Sequence, residues 1–384
     1  MAKLLRALYG LRRSPLLWQK LLSQALKDQG LQSTKEEPCL FISDWLIVFF
    51  FVDDIVAMHQ DTDIQKVEDF IVRLEDAFKI RDLGELRWFL RIRVVRDRPS
   101  RRIWLSQDSY ITYITTRFNL HNLGGKGPAV PYESTVNSHL HPFEGTATAA
   151  AIHLYQRKVG SVMYASIITR PDVGWITSKL AQFLQNPSPQ HGEAVNRVIQ
   201  YLYATRHLGI VFDGDIGPAG PLEVFTDASF ADDTVDRRST QGFLIKLYSG
   251  PVAWKSGKQD TVTTSSTEAE LLALTASGKE AMATLRLFTG IQLDLGQTPI
   301  IKCDNQQTIR LVSTNTPRLQ TALRHVDIHT CWARQEVQKQ AFTVEYLQTV
   351  DMAADGLTKA LPKYKFQRFI KQLGLEGVPA QEDA

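Results

Sequence analysis

The order of elements readable between residues 222 and 372 constrains the fold of this chain more than any other feature. Runs at 222–227, 241–248 and 252–264, rich in β-branched and aromatic residues, predict three successive strands, the third interrupted at Ser-Gly-Lys-Gln. A helix is predicted over 267–289, then a strand over 299–304, a short helix, a longer helix from about 325, a strand over 341–347 and a terminal helix. Three strands followed by alternating helix and strand predict a mixed sheet with helices packed on it.

Four acids fall where those strands end or helices begin: Asp227 closing "LEVFTD", Glu270 in "SSTEAELLAL", Asp304 closing "PIIKCD" and Asp355 in "DMAADGLTKAL". Brought together, they form an oxygen-rich site for hard cations, and like charges that close require counter-charge. Two magnesium ions about 4 Å apart would suit phosphodiester hydrolysis. Each acid also has a local explanation. Asp227 and Asp304 suit strand-ending turns, Asp355 suits a helix terminus, and Glu270 could complete a capping box with Thr267, as Glu268 could with Ser265. Helical phase separates the two glutamates: with Leu271, Leu274, Gly278, Met282 and Leu285 as the buried stripe, Glu270 lies roughly 60° from its middle and Glu268 roughly 100°. Glu270 is the better candidate for the site.

Nearer the N-terminus, Ser14-Pro15 reads as N-cap and first helical position, with Gly30 as a stop, predicting a helix over 15–29. Ile64, Val67, Ile71, Leu74 and Phe78 follow a Thr62-x-x-Gln65 capping box and predict a second, amphipathic helix. Between them "LIVFFFVDDIVAM" predicts a hairpin, with strands at 45–52 and 55–58 joined by a turn at Asp53-Asp54. Residues 121–150 hold scattered glycines and prolines without a period, and "DGDIGPAGP" at 213–221 marks a second break. Helices interrupted by "TRPDVG" and "NPSPQH" are predicted between 152 and 208.

Composition is that of a globular protein, 43% hydrophobic and 22% charged, with a net charge of +3. Eight arginines between Arg81 and Arg102 against Asp82, Glu85 and Asp97 suit either a phosphate footprint or a solvated face. Cys39, Cys303 and Cys331 are too scattered for a disulfide framework or a zinc site, which fits a reducing compartment. The longest apolar run, 45–52, is far short of a membrane span of ~20 residues, so no membrane partner is expected. The first 27 residues carry lysine and arginine but no acid, a pattern shared by organellar transit peptides. His325 and His329 in "HVDIH" have the i, i+4 spacing of paired zinc ligands but lack a third, which favours a helix face near substrate or core.

Across 3–373 the chain resembles the reverse transcriptase and ribonuclease H region of copia-type LTR retrotransposon polyproteins. The resemblance is carried, in family order, by "KLLRALYGLRRSPLLW", "PCLFI", "FVDDIV", "DLGELRWFL", "LSQDSYI", "TRPDV", "TDASFADDTVDRRSTQGF", "AWKSGKQDTVTTSSTEAELLAL", "CDNQQTI", "RHVDIH" and "ADGLTKALP". It implies a partial palm and thumb over 1–120, a linker and helical connection over 121–220, a ribonuclease H-like mixed sheet over 221–375 and a disordered tail over 376–384. The fold class expected is therefore α+β and α/β, in several domains.

By the same resemblance Asp227, Glu270, Asp304 and Asp355 correspond to the metal-binding acids of ribonuclease H. Mg²⁺ is the expected cofactor, two ions with Mn²⁺ as substitute, and the reaction is hydrolysis of the RNA strand of an RNA·DNA hybrid, leaving a 3′-hydroxyl and a 5′-phosphate. Strand selectivity would rest on 2′-hydroxyl contacts. Asp53 and Asp54 correspond to the second acidic motif of a polymerase palm that binds primer-template, with Phe51 in place of the family's tyrosine. Arg91 stands where the family has glycine. The fingers and first palm aspartate precede "ALYGL" in this family, so DNA synthesis is expected to depend on an upstream polymerase part. Lys255 and Lys258 beside Trp254, with Arg237 and Arg238 in "RRST", could track the nucleic-acid backbone, or be exposed charges and a turn. "QTVDMAAD" lacks the loop histidine of some cellular ribonucleases H, which would slow product release. An intracellular location, in a cytoplasmic particle or the nucleus, is expected. The alternative is a catalytically inactive nucleic-acid-binding relic or polymerase subunit.

Overall fold

The computed structural model describes residues 10–133, 140–215, 221–314 and 324–379, without the side chains of 324–327 and 330. Contacts divide the chain into two units: Met1–Phe89 with Ala283–Asp294, and Leu90–Met282 with Leu295–Ala384.

In the first unit, α1 (Ser14–Asp28) and α2 (Ile64–Ala77) flank an antiparallel sheet in the order β1 (Gln32–Ser33), β2 (Leu40–Ile42), β3 (Leu46–Phe51), β4 (Asp54–His59). The run "LIVFFF" alternates as a half-buried strand must, with Leu46, Val48 and Phe50 turned to a core shared with Leu22 and Leu26 of α1 and Val67, Phe70 and Leu74 of α2. Leu22 and Leu26 are wholly buried, each contributing about 2 kcal/mol of transfer free energy. A two-residue strand, β5 (Trp88–Phe89), sets Phe89 edge-on to Phe49.

Three local expectations change. Phe51 pairs with Asp54, so the hairpin turn is Val52-Asp53 and Asp54 opens β4. Val52 takes φ 55, a left-handed conformation costly for a β-branched residue, and its carbonyl accepts from Trp18 Nε1. The capping box at Thr62 does not form: Asp61–Asp63 make a 3₁₀ turn, Asp63 is the N-cap, and Phe70 is buried while Ile64 is exposed. Finally, Ser14 is the first helical residue and Arg13 the N-cap.

The second unit contains two sheets. One runs in the order β14 (Leu375–Gly377), β8 (Leu208–Asp213), β7 (Arg102–Ser106), β6 (Ile92–Asp97), all antiparallel. Glu376 and Gly377, expected in a tail, are thus paired with Gly209 and Leu208, and 380–384 lie outside the described residues. The other sheet has the order β11 (Gly250–Lys258), β10 (Thr240–Leu247), β9 (Leu222–Ser229), β12 (Ile300–Cys303), β13 (Thr343–Tyr346). Its first three strands pair antiparallel, while β12 is parallel to both β9 and β13. This is the mixed sheet predicted, except that the third strand ends at Lys258. Helices α7 (Ser266–Gly290), α8 (Gln306–Ser313), α9 (Arg324–Gln338) and α10 (Lys363–Gln372) complete it.

Between β7 and β8 in sequence come α3 (Asp108–Arg117), α4 (Ala149–Ile168), α5 (Gly174–Ala181) and α6 (Pro189–Ala204). Val159 and Val162 of α4, Ile176 and Leu180 of α5 and Val195, Val198, Ile199 and Leu202 of α6 share one apolar core with Phe225, Leu244, Leu357 and Phe369. The "TRPDV" motif is structural: wholly buried Arg170 makes a bidentate pair with Asp172 at 2.7 and 2.9 Å, and Tyr201 donates to the same carboxylate at 2.6 Å. Breaking such a pair from one side leaves a buried charge unmatched, at a cost of about 3–5 kcal/mol.

Candidate metal centre

Each acid of the candidate site is delivered by a different element. β9 is buried along most of its length, as befits a mid-sheet strand covered on both faces, and carries Asp227 inward with only 3% of its surface exposed. Asp304 follows the last residue of β12, the parallel neighbour of β9. Glu270 lies in the first turns of α7 on its buried side. Ligand oxygens of Asp227, Glu270 and Asp304 all lie within 4.8 Å of one another.

Glu268 has the other role that helical phase left for it. Its backbone N–H donates to Ser265 Oγ at 3.1 Å, and its Oε2 accepts from Thr264 N–H at 2.7 Å, so it secures the start of α7.

Polar contacts hold the three carboxylates in place. Asp227 Oδ2 accepts from Thr358 Oγ1, Glu270 Oε1 from the Ala228 N–H at 3.3 Å, and Asp304 Oδ2 from Thr349 Oγ1 at 2.8 Å. Glu270 Oε2 is buried and has no hydrogen-bond donor. Burial, reinforced by Asp355 and Asp304, pushes the Asp227 carboxyl above its usual range despite the Thr358 hydroxyl and the charge of Lys359. Glu270 is pushed up by burial and by Asp227 and Asp304. A carboxylate oxygen buried without a donor, among carboxylates that resist joint ionisation, suits a hard divalent cation, so the donor set fits the metal the sequence suggested.

The fourth predicted acid does not join the three. Asp355 begins the turn Asp355–Leu357, and its Oδ1 is ion-paired with Lys359 Nζ, one helical turn on. It stands close enough for its charge to act on Asp227, and the Thr358 hydroxyl that donates to Asp227 also donates to the Asp355 carbonyl at 3.0 Å. Gly242, opposite Asp227 on β10, makes room for this turn: a Cβ there would lie 2.8 Å from Leu357 Cβ and 3.0 Å from Thr358 Cγ2. Sequence reasoning missed Thr358 and Lys359. The Asp355–Lys359 spacing of i, i+4 was the available signal for the lysine.

The predicted backbone-tracking residues separate into two kinds. Lys255 and Arg237 are exposed. Lys258 is instead paired with Asp233 at 2.6 Å and Asp236 at 3.1 Å, and Arg238 lies 3.6 Å from Asp236, so the "RRST" segment closes as a turn on its own acids. Trp254 donates to the Ser166 carbonyl at 2.8 Å and packs on the core. Arg93 pairs with Asp108, and Arg102 with Asp213 and Glu376, which draws two of the eight clustered arginines away from a phosphate footprint. Arg91 takes φ 64, a conformation glycine adopts more easily, with its guanidinium over the Tyr113 ring. The His325 side chain lies outside the described residues, and His329 is half-buried.

In the first unit Asp53 and Asp54 are both exposed at the hairpin. Among the described residues, no third acidic, histidine or cysteine side chain joins them at ion-sharing distance. No helix of the described residues is long and apolar enough to cross a membrane.

Residues 1–133 match the model of the family described as reverse transcriptase (RNA-dependent DNA polymerase). The chain is 31% identical over 386 residues to the retrovirus-related Pol polyprotein from transposon TNT 1-94 of Nicotiana tabacum, a match spanning 97% of this chain and 28% of that protein. It is 30% identical over 381 residues to the Pol polyprotein from transposon RE1 of Arabidopsis thaliana, spanning 98% of this chain and 25% of the relative. Among solved structures, a foamy viral protease-reverse transcriptase in complex with RNA/DNA hybrid aligns at 14% identity with a TM-score of 0.44, over 90% of this chain and 39% of that one. Over nearly its whole length the chain is therefore homologous to Pol polyproteins of plant copia-type transposons, and residues 1–133 match their reverse transcriptase family. It spans about a quarter of the length of those relatives.

Proposed function

We propose that this chain is a Mg²⁺-dependent ribonuclease H that hydrolyses the RNA strand of RNA·DNA hybrids inside the cell. The observation that carries this reading is the convergence of Asp227, Glu270 and Asp304 within 4.8 Å, with one Glu270 oxygen buried and undonated. These three carboxylates would hold the ions, two Mg²⁺ or Mn²⁺ in their place, and Asp355 would complete the set. When bound, the ions supply Lewis-acid stabilisation of charge on the phosphate and ease deprotonation of the attacking water.

The chain's own groups orient the acids. Thr358 fixes one Asp227 oxygen, the Ala228 N–H one Glu270 oxygen and Thr349 one Asp304 oxygen. Burial excludes bulk water from Asp227 and Glu270, which strengthens every electrostatic contact there. Of the four predicted cations, Lys255 and Arg237 are exposed and would meet the hybrid backbone, while Lys258 and Arg238 lie against acids of their own loop.

Asp53 and Asp54 are the acidic pair of a polymerase palm in the same proposal. With no third carboxylate beside them among the described residues, primer-template extension would require an acid from a further polymerase segment. Purified chain given end-labelled RNA·DNA hybrid and Mg²⁺ is expected to cut the RNA strand, and to extend no primer. Full cleavage by Asp227→Asn would rule out the assigned site.

A further inference from the structure

The acids' counter-charge is not left to solvent. Lys359 Nζ pairs with Asp355 Oδ1, and its positive charge also acts on Asp227 and Glu270. Burial alone would lower the lysine's proton affinity; the Asp355 contact and the charges of Asp227, Asp355 and Asp304 raise it instead. The side chain is nevertheless 46% exposed, and it lines a cleft of about 760 Å³ that continues past Ser229 to Asp232 and Asp236. Lys359 therefore has a path away from the acids. The pair is open to solvent on the lysine side only, Asp355 being buried, so it is the lysine that is free to exchange out of it.

Divalent ions and an ammonium compete for the same carboxylates, because the cations repel each other. Resting on the nuclease reading above, we propose that Lys359 is a positioning residue that serves as the site's built-in counter-ion. It holds Asp355 while the metal is absent and moves into the cleft as metal loads, releasing Asp355 to become the fourth ligand. Metal binding and the Lys359–Asp355 pair are then negatively coupled, each weakening the other by the same factor.

Isothermal titration of the full chain with Mn²⁺ tests the coupling without reference to turnover. Lys359→Met is expected to bind Mn²⁺ about tenfold more tightly than the parent chain, a factor ordinary for coupled sites, while its metal-free melting temperature falls. Lys359→Arg, which keeps the charge, is expected to match the parent. Equal or weaker Mn²⁺ affinity in folded Lys359→Met overturns the proposal. Crystals of the unaltered chain with and without Mg²⁺ give the same answer even if the variant fails to fold. Lys359 Nζ leaving Asp355 when ions are seated supports the proposal, and an intact pair beside seated ions overturns it. Hybrid cleavage by the parent chain separates the two readings: cleavage with an intact pair removes only the role of Lys359, whereas neither cleavage nor Mn²⁺ uptake removes the nuclease reading as well.

Discussion

Two groups of acids on this chain differ in how the fold treats them. Asp53 and Asp54 are neighbours in sequence, stand at one hairpin and remain exposed. Asp227, Glu270 and Asp304 are spread over 78 residues and come from two parallel strands and a helix, yet their oxygens meet within 4.8 Å, two of the three side chains being buried. The exposed pair costs the fold little because water screens it. The buried cluster opposes ionisation of its own members until a cation compensates. Sequence adjacency of acids is thus a poor guide to a preformed ion site, and convergence from separate elements is a better one.

The largest effect separating the two groups is catalytic. On the proposed nuclease reading, Asp227→Asn and Glu270→Gln are each expected to lower the rate of hybrid cleavage on the order of 10²–10³-fold, since each removes a carboxylate that would hold an ion. Asp53→Asn and Asp54→Asn should leave that rate unchanged; a comparable loss from either hairpin variant would erase the distinction. Thr358→Val should fall between, with about a tenfold loss, because it frees Asp227 without removing its charge.

The pH dependence of metal-free stability sharpens the same contrast. Burial raises the folded-state proton affinity of Asp227 and Glu270 above the unfolded value. Their contribution is therefore fully present below the ordinary carboxylate range near pH ~4, and is lost as pH rises toward and past neutrality. Thermal melts in EDTA should show stability declining over that span by on the order of 2 kcal/mol, with a smaller decline in Asp227→Asn. A decline that the Asp227→Asn variant reproduces in full would place its cause elsewhere. The smallest effect belongs to the hairpin: Val52→Gly relieves a left-handed φ at a half-exposed position and should raise stability by about 1 kcal/mol in urea unfolding.

Much of the second unit was legible because its strands and helices are long and strongly patterned. Helical phase alone favoured Glu270 over Glu268; both are buried, Glu270 with its oxygens beside Asp227 and Asp304 and Glu268 bound to the start of its own helix. The hairpin turn was read one residue late: Asp-Asp is the better turn sequence, but the strands pair Phe51 with Asp54, so the turn falls at Val52-Asp53 and Val52 bears the strained φ. The partners of Lys258 and Arg238 were not legible, since Asp233 and Asp236 reach them only through the closure of the loop. Asp355 was legible in part: its position by the site could be anticipated and its i, i+4 spacing to Lys359 signalled the partner, but the pairing itself is made by the folded turn.

Counting Mn²⁺ ions bound at equilibrium, by the electron paramagnetic resonance signal of the free ion, tests the central claim most directly. The unaltered chain should take up two ions, the Asp227→Asn/Glu270→Gln double variant should lose both, and the Asp53→Asn/Asp54→Asn double variant should keep both. Uptake that survives loss of Asp227 and Glu270, or that disappears with Asp53 and Asp54, would contradict the account.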